Sequence, residues 1–149
     1  MSPDKRPPKR SPTKPKKTVR VRLAALDPGP PYIVRWHPEA QAERDASWPP
    51  REQAAIFHAV QKLEAEGPRL PHPHSSAIQG EAGKGFRELR PRSGRSRWRP
   101  IYRQAAPDTF VILAVGPEAA IDGAGFDAAV TRARQRFDQL DLTQGRSGR

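Results

Sequence analysis

Phe86-Arg87-Glu88-Leu89-Arg90, then Arg97-Trp98-Arg99-Pro100-Ile101-Tyr102-Arg103, then Phe110-Val111-Ile112-Leu113-Ala114-Val115 are the three runs that decide the fold. The first two are rich in aromatic, branched and arginine side chains and are separated by a segment carrying Ser93-Gly94, the composition of two strands joined by a turn. The third follows another turn at Ala106-Pro107-Asp108. It is apolar without alternation, the pattern of a strand covered on both faces, and so belongs at the centre of a sheet. In the second run, period-2 alternation places Arg97, Arg99 and Arg103 on one face and Trp98 and Tyr102 on the other. The two aromatic residues therefore read as core, not as a platform for stacking bases.

Upstream, Tyr32 to His37 reads as a short strand stopped by Pro38, which suits the first turn of a two-turn helix through Arg44. Arg51 to Glu66 is amphipathic, with Ile56, Ala59, Val60 and Leu63 on one face, and Gly67-Pro68 ends it. A loop containing His72 and His74 follows from Leu70 to about Gly85. Downstream, Phe126, Ala129, Val130, Ala133, Phe137 and Leu140 give a C-terminal helix over 126–140, with Arg132, Arg134 and Arg136 expected to face outward. The order is strand, two helices, a three-strand meander and a helix, an α+β arrangement.

The chain has 149 residues, with 27 Lys and Arg against 16 Asp and Glu for a formal charge of +11. Residues 1–22 hold nine of those basic residues, five prolines and a single acid, Asp4, so most of the net charge lies in a stretch too polar to fold. The expected organisation is a disordered tail and linker over 1–29, one domain over 30–142, and a flexible end over 143–149. Such a charge favours polyanionic partners. The absence of cysteine excludes disulfides, thiolate metal sites and cysteine nucleophiles. With no signal-peptide core and no apolar run of about 20 residues, the expected location is the cytoplasm, away from membranes.

Glu88-Leu89-Arg90, Trp98-Arg99-Pro100-Ile101-Tyr102-Arg103 and the apolar strand, following a helical pair and a Leu70-to-Pro73 loop, resemble the toxins of type II toxin–antitoxin systems. The likeness is to the RelE/ParE superfamily, most closely its HigB-like branch, over about residues 30–142. It implies a curved antiparallel sheet backed by helices, cleavage of mRNA on translating ribosomes, and neutralisation by a cognate antitoxin, a small helix-turn-helix protein. Arg90 and Arg99 match the positions of the family's Glu-Leu-Arg and aromatic-Arg motifs and are the expected phosphate clamp. Arg87, Arg97 and Arg103 complete the expected nucleic-acid surface.

Metal-independent RNA cleavage needs a base for the ribose 2′-hydroxyl, cations for the phosphate charge and an acid for the leaving oxygen. Family members often carry lysine or arginine after the last strand, where this chain has Gly116-Pro117-Glu118-Ala119. Glu118 is then the candidate base, with His74 or His72 as an acid–base substitute. No cofactor and no metal is called for, since two histidines fall short of a metal site. The Gly80-to-Gly85 loop lacks the order of a phosphate loop.

The plainer alternative makes the arginines a solvated face paired with Glu81, Glu88 or an acidic antitoxin. Two further alternatives are a fold that binds RNA or protein without cutting, and a ParE-type gyrase inhibitor.

Overall fold

The structure, a computed structural model, describes residues 20–47 and 49–142. The expectations of a disordered tail and of a flexible C-terminus fall largely on 1–19 and 143–149, outside the described residues. The elements are β1 (Ile33–Trp36), α1 (Pro38–Ser47), α2 (Pro50–Glu66), β2 (Ser75–Ala77), β3 (Arg87–Leu89), β4 (Trp98–Ala106), β5 (Thr109–Pro117) and α3 (Gly123–Asp138). They form one sheet in the order β1-β5-β4-β3-β2, with helices on both sides. The α+β class and the order of the main elements are those read from the sequence.

The apolar run 110–115 lies, as expected, inside the sheet. On one face Phe110, Ile112 and Val115 pack with Ile56, Val60 and Leu63 of α2. On the other, Val111, Leu113 and Ala114 pack with Phe126, Ala129, Val130 and Ala133 of α3. Two neighbours, Leu113 and Ala114, can share a face because of a bulge: Tyr102 pairs with Ile112 and Ile101 with Ala114, leaving Leu113 unmatched. The close approach of α3 requires Gly116, where an added Cβ would come 2.5 Å from the Cβ of Ala129.

Three details differ from the sequence reading. The sheet is mixed, because β1 runs parallel to β5 while the remaining pairs are antiparallel. The helical pair between β1 and the meander is the crossover that lets β1 reach the far edge of β5 in that direction. The 70–85 loop contains β2, which pairs with β3 and makes the meander four-stranded. Its Ser75-Ser76-Ala77 sequence has little strand propensity; side chains hold it, through Ser75 Oγ to Tyr102 Oη at 2.7 Å and Ser76 Oγ donating to Glu88 at 2.8 Å. α3 begins at Gly123, earlier than its apolar stripe, because Asp122 caps it by accepting the Gly125 N–H at 2.9 Å.

A further difference concerns Arg132 and Arg136, which were expected to face outward. Arg136 is buried and Arg132 is half-buried. β1 ends opposite Ile112, and His37 N–H closes that ladder on the Ile112 carbonyl at 2.9 Å. Beyond it the edge of β5 has no strand beside it among the described residues, and buried backbone groups need partners. Glu43 of α1 accepts the Val115 N–H at 3.0 Å, Arg136 donates to the Leu113 carbonyl at 2.8 Å, and Arg132 donates to the Val115 carbonyl at 3.2 Å. Glu43 also receives Arg132 at 3.0 Å and Arg136 at 2.7 Å. Side chains from α1 and α3 thus finish what β1 leaves open.

Burial works to raise the carboxyl pKa of Glu43, but the Arg136 hydrogen bond, the Val115 N–H and the two guanidinium charges outweigh it, so the net shift is downward from 4.5. A depressed folded-state pKa contributes stability that is present above the unfolded value and lost as pH falls through the folded one. Glu43→Gln is therefore expected to cost about 2–3 kcal/mol near neutral pH, since charged hydrogen bonds are lost. The cost should shrink toward acid as wild-type Glu43 protonates. Chemical denaturation of both proteins across pH 3 to 7 checks this, and a pH-independent difference would contradict it.

Candidate functional site

The candidate residues gather where β3 leaves the sheet and β4 enters it. Leu89 is buried, and Arg90 N–H continues the pairing to the His74 carbonyl at 2.9 Å. Pro91–Gly94 then forms a tight 3-10 turn in which Arg92 and Ser93 have φ of 58° and 57°, and Gly94 has φ of 90°. Two successive non-glycine residues in the left-handed region carry strain that the surroundings must hold. A Cβ at Gly94 would lie 2.7 Å from Nη2 of Arg90 and would displace that guanidinium.

Arg99 holds this turn. Its Nη1 donates to the Ser96 carbonyl and, at 3.3 Å, to that of Trp98, while Nη2 donates to the Gly94 carbonyl at 3.2 Å. Nη2 also meets Glu118 at 3.3 Å, and Nε lies 3.5 Å from Glu88. The side chain is 1% exposed. Burial is the main influence lowering its pKa; Glu88 opposes it, Arg90 adds to it, and Glu118 opposes it. Guanidinium stays charged regardless.

Arg90 is half-buried, with Nε donating to the Pro73 carbonyl at 3.1 Å and Nη1 pairing with Glu88 at 3.3 Å. Glu88 stands between the two arginines. Glu118 is placed by its own backbone: its N–H donates to the Arg97 carbonyl at 2.7 Å, continuing the β4–β5 pairing past the strand end. The result is a cleft of about 490 Å³ with Glu88, Arg90, Arg99, Glu118, Phe126 and Asp127 on its walls. Two arginines and two glutamates in direct contact make a neutral group, with a carboxylate able to take a proton and guanidinium groups able to hold an anion.

The remaining expected residues scatter. His74 does not line the cleft of Glu118; it lies toward α2, with Nδ1 3.4 Å from Lys62 Nζ, and His72 is exposed. Arg87 donates to Ser75 Oγ at 2.9 Å. Arg103 stacks on Phe86 and Phe137 at 5.1 and 4.4 Å, against α3. Arg97 is exposed and lies 5.7 Å from the Trp98 ring. Tyr102 is buried, and Trp98 is half-buried against the α2 core. Sequence reasoning passed over Arg92 and Arg95, both exposed on the turn. The density of arginine between Arg90 and Arg97 was the available signal. Among the described residues, no group of three or more His, Asp or Glu side chains could hold a metal ion.

Residues 46–117 match the family described as "Phage derived protein Gp49-like (DUF891)". A protein of Mycobacterium tuberculosis (strain ATCC 25618 / H37Rv) named "Putative toxin HigB2" is 32% identical over 83 residues, covering 55% of this chain and 41% of its own length. The chain thus spans less than half of that relative. No solved structure matches. The family match runs from the end of α1 through β5 and stops one residue short of Glu118.

Arg99→Ala removes the guanidinium from Glu118, from Glu88, which keeps Arg90 and Ser76, and from three carbonyls; removing one partner of a buried pair costs about 3–5 kcal/mol. Thermal or chemical denaturation should show that loss. Arg99→Lys is expected to recover little of it, since an ammonium lacks the planar fork. A variant as stable as wild type would mean that Arg99 does not hold the turn.

Proposed function

We propose that the chain is the toxin of a type II toxin–antitoxin system, that it cleaves RNA without a metal at the Glu88–Arg90–Arg99–Glu118 cleft, and that an antitoxin holds it inactive. The likeness to Gp49-like proteins and to a toxin supports the first part. The observation that carries the second is the contact of the Glu118 carboxylate with Arg99 at 3.3 Å, beside Arg90.

In this reading Glu118 removes the proton of a ribose 2′-hydroxyl as the oxygen attacks phosphorus. Arg90 and Arg99 hold the non-bridging oxygens as charge builds on them. The bond from phosphorus to the 5′-oxygen breaks, and that oxygen leaves with a proton returned by the glutamic acid or by water. The products are a 2′,3′-cyclic phosphate and a 5′-hydroxyl. For Arg99 to act, its fork must exchange Glu118 for phosphate, one anion for another.

One observation favours a second reading, in which the fold binds without cutting. The Arg99 fork is met on every side by protein acceptors, and Glu88 and Glu118 neutralise the two arginines.

Induced expression without an antitoxin is expected to arrest growth and to create new 5′ ends in transcripts, mapped by primer extension. Glu118→Gln, which keeps the shape of the side chain, should lower cleavage by roughly a hundredfold or more, the usual worth of a general base. Arrest without new 5′ ends, unchanged in Glu118→Gln, would establish the binding reading in place of the nuclease.

A further inference from the structure

A second cleft, of about 510 Å³, lies between α2 and the turn at Pro91–Gly94. His58 and Lys62 stand one turn apart on α2 along one wall, and His74, Arg90 and Arg92 form the other. Its floor is alanine, from Ala55, Ala59 and Ala65, so the space stays open where larger side chains would fill it. No carboxylate lines it, whereas Glu88, Glu118 and Asp127 line the cleft of Arg99. The lining of this cleft is therefore net positive, through Lys62, Arg90 and Arg92, while Glu88 and Glu52 pair with the two arginines from outside it.

The groups are arranged for oxyanions. Lys62 Nζ lies 3.4 Å from Nδ1 of His74, which can accept from the ammonium and leave Nε2–H as a donor. Glu52, beneath the rim, accepts the Ser96 hydroxyl at 2.6 Å and lies 3.5 Å from Arg92, steering that guanidinium while its side chain remains 45% exposed. Arg92 is also one of the two left-handed residues of the turn, so backbone strain is spent at the position that overhangs the cleft. Arg90 lines both clefts, which makes them neighbours sharing one cation. A ligand whose anionic groups repeat along a chain can occupy both at once.

We propose that this cleft is a phosphate-backbone site for single-stranded RNA, gripping the strand at Lys62, His58, His74 and Arg92 and leading it past Arg90 toward Glu118. The site rests on the proposed action on RNA and supplies what the cleft of Arg99, where two arginines face Glu88, Glu118 and Asp127, lacks: a net attraction for the substrate. Single-strand sites commonly span about 4–16 nucleotides, enough for two adjoining clefts.

The test is binding of fluorescein-labelled, 2′-O-methylated RNA of roughly twelve nucleotides, a length within that range. The methyl group removes the attacking hydroxyl, so binding is read without cleavage. Anisotropy is followed for the full chain across salt concentration. Lys62 and Lys84 are both exposed, and Lys84 lies in the 80–85 loop outside the cleft. Their charge reversals therefore alter net charge equally.

Lys62→Glu is expected to weaken binding about tenfold or more near 0.1 M salt, and Lys84→Glu far less. Lys62→Ala should reduce the salt slope by about 1, one phosphate contact. Equal losses for the two reversals would overturn the site. So would intact RNA binding in a Lys62→Glu protein that no longer binds its antitoxin, which would make the cleft a protein-docking surface. Failure of the wild type to bind RNA also overturns it. RNA binding through Lys62 without growth arrest would instead leave the site standing and remove the toxin reading.

Discussion

The constraint on which the rest of this structure depends is that β5, buried on both faces, must also satisfy its backbone along both edges. β4 serves one edge for the full length of the strand, and β1 serves the other only as far as Ile112. From there Glu43, Arg132 and Arg136 stand in for a missing strand, offering a carboxylate to one N–H and guanidinium groups to two carbonyls. A charged trio is expensive to bury, and it is tolerated here because each charge meets an opposite charge and a backbone dipole. The same trio ties α1 to α3 across the strand, and Glu39 of α1 adds a second carboxylate to Arg136 at 3.2 Å.

This closure bears on the candidate site through the last residues of β5. Val115 is held by Glu43, Gly116 packs on Ala129, and the pairing with β4 then continues through Glu118 N–H to the Arg97 carbonyl. Glu118 is thereby delivered to Arg99 by backbone hydrogen bonds and not by a mobile loop. Arg99 in turn organises the turn that carries Arg92 and Arg95. Strand end, ion pair and turn form one cooperative unit, and a change in any of them is felt in the others.

The parts of the fold legible in the sequence were those with a strong period. The unalternating run at 110–115, the stripe of α2 and the stripe of α3 each state what they bury, and the meander follows from the turns between them. β2 was hidden because Ser75-Ser76-Ala77 has no pattern of its own and becomes a strand only by bonding Tyr102 and Glu88. Arg132 and Arg136 looked like a solvated helix face because periodicity treats arginine as polar; the demand for their guanidinium groups comes from an unpaired edge more than fifteen residues away. At the candidate site, alternation put Arg97, Arg99 and Arg103 on one face, but it could not show that Arg99 would be filled by carbonyls and carboxylates. Nor could it show that Arg103 would lie flat on Phe86 and Phe137.

Arginine count and available charge are therefore different quantities in this domain. Arg90, Arg99, Arg132 and Arg136 are each paired with glutamate, and in the cases of Arg99 and Arg136 they are buried as well. Their charge is used in holding the fold, where desolvation leaves little of it to act at a distance. Exposed cations remain on the Pro91–Arg97 turn and at Lys62 on the facing side of α2, as they do elsewhere at Arg35, Arg69, Lys84 and Arg134. A polyanion would reach Arg99 only by replacing Glu118, which meets it at 3.3 Å. Attraction and chemistry are thus separated by the width of one arginine, Arg90. Under the proposed action on RNA, the cations of the neighbouring cleft would recruit the substrate and Glu118 would act as the base beside Arg99.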